Sequence, residues 1–121
     1  MIIDLDTFNA EQNYQSLKHT QNTVALHYAG KNNPEEFFRD DSIVYSSVFR
    51  AKGNETYMVY IINAQQVINN IDQVKLRNAL FTAMTRSKGW VTVIGYGESM
   101  DNLIEEFSCV EGNNYKLVFS P

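Results

Sequence analysis

The stretch from Leu76 to Gly95, LRNALFTAMTRSKGWVTVIG, constrains the fold more than any other part of the chain. An apolar helix ends at Thr85-Arg86, and a short basic link leads into a β-strand. Leu76, Ala79, Leu80, Ala83 and Met84 recur at helical spacing from about Gln73 to Arg86, and Asp72 stands where an N-cap belongs. WVTVIGY, residues 90 to 96, then alternates as a strand does. Such an arrangement delivers one permanent cation, Arg86, to the end of a sheet, where phosphates commonly bind.

The same alternation of helix and strand runs through the rest of the chain. Residues 8 to 20 read as a polar helix with few core contacts, and TVALHYA, residues 23 to 29, as a strand broken after Gly30. Pro34-Glu35-Glu36 has the composition of a helix N-terminus and predicts a short helix. SIVYSSVF, residues 42 to 49, reads as a strand, and YMVYIINA, residues 57 to 64, is apolar enough for a central one. Ser99 is placed to cap a helix whose Met100, Leu103, Ile104 and Phe107 fall on one face, and YKLVF, residues 115 to 119, closes as a strand. These elements predict an α/β layer with a mainly parallel sheet, its loops and ligands beyond the carboxyl ends of the strands. An α+β domain with Tyr115 to Phe119 as an antiparallel edge is the alternative.

One domain over residues 1–121 is the economical count for this length. No apolar run approaches the roughly 20 residues of a membrane helix, and the N-terminus lacks the order of a secretory signal, so a cytoplasmic protein without membrane contact is expected. Cys109 is expected to be a partly buried small residue, and His19 and His27 lack zinc-ligand spacing. The formal charge of −4 is unevenly spread. From Arg50 to Lys88 six basic residues face two acids, leaving the middle at +4 and the flanks at −8. A basic middle suits an anionic ligand, while acidic flanks keep the remainder soluble.

Two segments carry candidate chemistry. Ser47-Val48-Phe49-Arg50-Ala51-Lys52-Gly53-Asn54-Glu55 forms a polar turn between two strands, in which Gly53 suits a positive φ or a close ligand approach. It resembles motif V, T-x-H-x-A-K-G-x-E, of the UvrD/Rep-type superfamily I DNA helicases, matching at Ala51, Lys52, Gly53 and Glu55. Asn78 to Lys88, with Thr85-Arg86, resembles motif VI, R-x-x-x-Y-V-A-x-T-R-A, of the same family. The two occur in order, each at the end of a regular element.

The resemblance implies a RecA-like fold, the second of two helicase lobes, cut from a larger protein and lacking a Walker A loop. It implies that Glu55 bonds the ribose of ATP, that the Gly53 backbone lies beside the phosphates, and that Arg86 reaches the γ-phosphate held by an N-terminal ATPase lobe. Ser47, Phe49 and Lys52 are implied to face nucleic acid, single-stranded or duplex DNA. The chemistry agrees: a carboxylate accepts from ribose hydroxyls, an aromatic ring stacks on a base, and a planar guanidinium stabilises charge spread over phosphoryl oxygens. Phe49 replaces the family's usual histidine, and a core position in its strand competes with stacking. Arg77 is a weaker candidate, facing phosphate or an acid, and Thr85 either orients Arg86 or bonds back to its own helix. Trp90, Tyr57, Tyr60 and Phe81 read as packing residues, and Gly95-Tyr96-Gly97 as a packing turn.

No G-x-x-x-x-G-K-[ST] loop occurs, nor an acidic pair placed to hold Mg2+, so ATP and Mg2+ would be held mainly by the missing N-terminal lobe and the isolated fragment is expected to be inactive. Beside this helicase lobe, coupling ATP hydrolysis to unwinding, stand two other classes. One is a non-catalytic helicase-derived module binding nucleic acid or a protein, and the other a stand-alone nucleotide-binding regulator.

Overall fold

The computed structural model describes residues 1–20, 25–31, 34–108 and 115–120, with the backbone alone for the last segment. Cys109 lies outside the described residues. The elements in chain order are β1 (Ile2–Asp4), α1 (Ala10–Thr20), β2 (Ala25–Tyr28), β3 (Ser42–Ser46), α2 (Val48–Ala51), β4 (Thr56–Ile62), α3 (Gln66–Asn69), α4 (Gln73–Met84), β5 (Ser87–Tyr96), α5 (Met100–Ser108) and β6 (Tyr115–Ser120). The strands form one sheet in the order β2-β3-β1-β4-β5-β6. Every pairing is parallel, β5 with β6 included, so Tyr115 to Phe119 is not an antiparallel edge.

Alternation along the strands sorts side chains onto two faces. On one, Ile3, Val59, Ile61, Val91 and Val93 pack beneath Leu80, Ala83 and Met84 of α4 and Met100 and Leu103 of α5. Gly95 belongs to this packing, because a Cβ there would stand 2.4 Å from Met100 Sδ. On the other face α1 buries little except Tyr14, as its polar composition predicts. The Tyr14 ring meets Tyr28 and Tyr45 at 5.0 and 5.4 Å between centroids, and its hydroxyl donates to Leu26 O at 2.9 Å.

Several local features depart from the expectations. Residues 34–39 form a turn and irregular backbone rather than a helix; Pro34 O instead accepts from Arg50 Nη1 at 3.1 Å, and the Arg50 guanidinium lies where a Gly30 side chain would project. The strand expected over 42–49 stops at Ser46, because Ser47 turns the chain into α2 as its N-cap, its Oγ accepting from Arg50 N–H at 3.2 Å. The basic link 87–89 is part of β5. It forms a bulge against Thr56 to Met58, with Ser87 Oγ 3.0 Å from Tyr57 O and accepting from Gly89 N–H at 3.1 Å. Strand β1, absent from the expected elements, lies inside the sheet between β3 and β4.

Helix α4 begins as expected, Asp72 Oδ1 accepting from Lys75 N–H at 3.0 Å. It is tied to α5 by Arg77, whose Nε donates to Glu106 Oε2 at 3.2 Å and whose Nη2 pairs with Glu106 Oε1. An acid, and not an open anion site, therefore faces Arg77. That bond holds the Glu106 carboxyl below its ordinary range, against the opposing effect of burial. A carboxyl whose folded value is depressed contributes stability above its unfolded value and loses it as pH falls through the folded one. Glu106→Gln is thus expected to lower Tm by a few degrees at pH 7, and the difference from the parent to fade as pH falls below about 4.5. Thermal melts across that window check it.

Candidate nucleotide and nucleic-acid site

The loop before β4 and the turn before β5 meet at one end of the sheet. Thr56 N–H donates to Arg86 O at 3.0 Å, and Thr56 is in register with Ser87, so Glu55 and Arg86 sit side by side just ahead of their strands. This is the amino end of the parallel strands. The expectation of loops beyond the carboxyl ends fails for a topological reason. In a parallel sheet a loop that precedes a strand, as both of these do, opens at the opposite end from one that follows it.

Arg86 is half-buried. Its Nη2 donates to Thr85 Oγ1 at 3.2 Å, while its Nε is buried and has no hydrogen-bond partner. Thr85 performs both expected tasks, since its Oγ1 also donates to Thr82 O at 2.7 Å. The guanidinium is thereby positioned at the end of α4 with donors still uncommitted. Leaving such a donor buried costs about 1–3 kcal/mol unless an acceptor arrives, so the position favours an anionic or carbonyl ligand. Glu55 is exposed, and no hydrogen bond or ion pair joins it to the described residues. Gly53 takes φ +84°, and a Cβ there would meet nothing within 4 Å. The backbone at that corner is open to an approaching group, which is what a phosphate or sugar beside it requires.

The other sequence candidates divide. Phe49 leaves the core entirely, at 81% exposure on α2, and Lys52 Nζ stands 5.8 Å from its ring centroid. An exposed ring beside an ammonium offers stacking and charge together. Ser47 is at the far end. Ser46 is level with Ile3 and Ile61, which places Ser47 roughly 20 Å along the strand direction from Glu55, at about 3.3 Å per residue. Its hydroxyl is committed to the α2 cap, so the structure does not bring Ser47 into the Glu55–Arg86 corner. Trp90, Tyr57 and Phe81, expected in the core, are 64%, 68% and 72% exposed. Trp90 and Tyr57 stand at the bulged start of the β4–β5 pair, Trp90 on the face that no described helix covers there, and Phe81 is on the outward side of α4.

Among the described residues no three His, Cys, Asp or Glu side chains cluster to hold a metal, and no helix is long and apolar enough to cross a membrane. At the carboxyl end, Asp4 is buried and fully used, accepting from Asp6 N–H, Asn13, Asn63 and Tyr45. The sequence carried no signal of that cluster, because its members are spread from β1 to the end of β4.

An all-parallel sheet flanked by helices is consistent with a RecA-like fold. Residues 42–94 match the UvrD-like helicase C-terminal domain family. The match spans β3 to β5 and includes Ser47, Gly53, Glu55 and Arg86. No curated protein and no solved structure gave a match to the chain.

Proposed function

We propose that the chain is the second lobe of a two-lobed ATP-dependent DNA helicase and closes over ATP held by an N-terminal lobe. Arg86 acts as the arginine finger, Glu55 binds the ribose, and the Gly53 backbone flanks the phosphates. The supporting observation is the meeting of Glu55 and Arg86 at one strand end, tied by the Thr56 N–H to Arg86 O bond, with a buried Nε that lacks an acceptor. ATP fits these residues: the carboxylate accepts from hydroxyls, and the guanidinium donates to phosphoryl oxygens. Mg2+ would be held mainly by the N-terminal lobe, since this corner offers it only the Glu55 carboxylate.

Lobe closure would place Arg86 against the γ-phosphate, where its charge offsets that developing on the equatorial oxygens. Opening releases it, and Phe49 and Lys52 follow the lobe's movement with single-stranded DNA stacked and paired against them. Ser47 is given no part in that contact. In the two-lobed enzyme Glu55→Ala is expected to raise KM for ATP about tenfold, the worth of one or two hydrogen bonds to an ionised group, and to change kcat much less. Steady-state ATPase assays with ATP and 2′,3′-dideoxy-ATP test it: the analogue should bind the parent weakly and the variant no worse than ATP does. An unchanged KM, or an analogue still discriminated by the variant, removes Glu55 from the site.

A further inference from the structure

Tyr57 departs from the rest of its strand face. Side chains alternate along β4, so Tyr57 shares the α4 side with Val59 and Ile61, which are 1% and 0% exposed, yet it is 68% exposed itself. Helix α4 ends at Met84, and the chain turns through Arg86 into β5 at the level of Thr56, so the helical cover stops short of the ring. The backbone beneath the ring is nonetheless pinned. Ser87 Oγ lies 3.0 Å from Tyr57 O, and a Cβ on Gly89 would stand 3.1 Å from that oxygen and 3.7 Å from Tyr57 Cδ1, so the ring edge rests over a residue without a side chain. Among the described residues the Tyr57 hydroxyl makes no hydrogen bond and no aromatic ring packs against it.

Given the nucleotide reading of the Glu55–Arg86 corner, on which this rests, we infer that Tyr57 is the platform on which the base of the bound nucleotide stacks. Glu55 stands one residue ahead of β4 and two from Tyr57, on the same side by alternation and about 6.6 Å away at 3.3 Å per residue. A sugar held by its hydroxyls on Glu55 therefore carries its base to the Tyr57 ring, while its phosphates run back toward Gly53 and Arg86. An exposed aromatic face suits a base, because stacking makes no demand on the base's hydrogen-bonding edge. A base of single-stranded DNA suits the ring less well. Deoxyribose offers Glu55 no pair of hydroxyls, and the flanking phosphates of a strand would meet that carboxylate.

The test uses the two-lobed enzyme with ATP as substrate and ribose 5-triphosphate, which lacks the base, as competitor. Tyr57→Ala is expected to raise KM for ATP about tenfold, the low end of what one base–aromatic stack supplies, with kcat within about twofold of the parent. Its inhibition constant for ribose 5-triphosphate should equal the parental one, because a missing base has no stack to lose. A variant that only disturbed the fold would weaken both. Tyr57→Phe keeps the ring and should match the parent with either compound, and Gly89→Val, which puts a side chain where the ring edge rests, should behave like Tyr57→Ala. An unchanged KM for ATP in Tyr57→Ala, an equal loss for both compounds, or a Tyr57→Phe variant as weak as Tyr57→Ala would overturn the inference. So would a Tyr57→Ala variant with parental KM for ATP and weakened binding of oligodeoxythymidylate, which assigns the ring to the strand. These outcomes remove the stack alone, whereas parental ATP hydrolysis by Arg86→Ala removes the nucleotide reading and the stack with it.

Discussion

Arg86→Ala in the two-lobed enzyme is expected to slow ATP hydrolysis by about 10³ to 10⁵, the range that arginine fingers supply, with a far smaller effect on ATP binding. The asymmetry follows from where the charge appears. On the proposed reading an N-terminal lobe would already neutralise the γ-phosphate in the ground state, whereas the transition state loads its equatorial oxygens and would gain most from a second fork of donors. Arg86→Lys should recover little of the loss, because an ammonium keeps the charge but not two parallel N–H groups. Single-turnover hydrolysis separates the chemical step from binding. A parental rate in Arg86→Ala would leave the residue as an ordinary cation at a helix C-terminus, worth about 0.3–1 kcal/mol to the fold and nothing to the reaction.

The largest effect on stability is expected at the opposite end of the sheet. Asp4→Ala removes one carboxylate that accepts from Asp6 N–H at 2.9 Å, Asn13 Nδ2 at 2.9 Å, Asn63 Nδ2 at 2.8 Å and the Tyr45 hydroxyl. Tyr45 keeps a second acceptor in Ala10 O, but the amides and the backbone donor are stranded. The expected loss is about 3–5 kcal/mol, a large share of the roughly 5–15 kcal/mol that holds a domain together. Burial, and then the bond to Asp4, push the Tyr45 hydroxyl's pKa above its ordinary range. Urea unfolding of Asp4→Ala and the parent measures the difference directly. A loss under 1 kcal/mol would show that water replaces the carboxylate without cost.

The legible parts of this fold were those with a long period or a strong local signal. Helix α4 declared itself through Leu76, Leu80 and Ala83 and through Asp72, whose cap is made as expected. The apolar run of β4 marked an interior strand, and β4 does lie between β1 and β5. Strand β1, with only Ile2 to Asp4, is too short to show alternation, and its place in the sheet depends on partners far along the chain. Val48 and Phe49 have strand propensity, which in the sequence extends β3 past its end at Ser46. The Ser47 hydroxyl outweighs it by capping a single helical turn.

The site was half legible. Residue identities came from two short motifs, and the structure brings Glu55, Gly53 and Arg86 to one corner. The end of the sheet is set by chain order, because Glu55 and Arg86 each precede a parallel strand; that the two strand entrances are neighbours depends on the assembled sheet. Trp90 illustrates the same limit: apolar composition places it in a strand, while its ring is exposed on the face of β4 and β5 that no described helix covers there.

The central claim, that Arg86 completes a nucleotide site shared between two lobes, is tested most directly by a crystal structure of the two-lobed enzyme with ADP and aluminium fluoride, which mimics the transferring phosphoryl group. Arg86 Nη atoms within about 3 Å of the fluorides, with the Glu55 carboxylate on the ribose hydroxyls, are the predicted result. An Arg86 guanidinium still turned back onto Thr85, with the fluorides served by other donors, would contradict it.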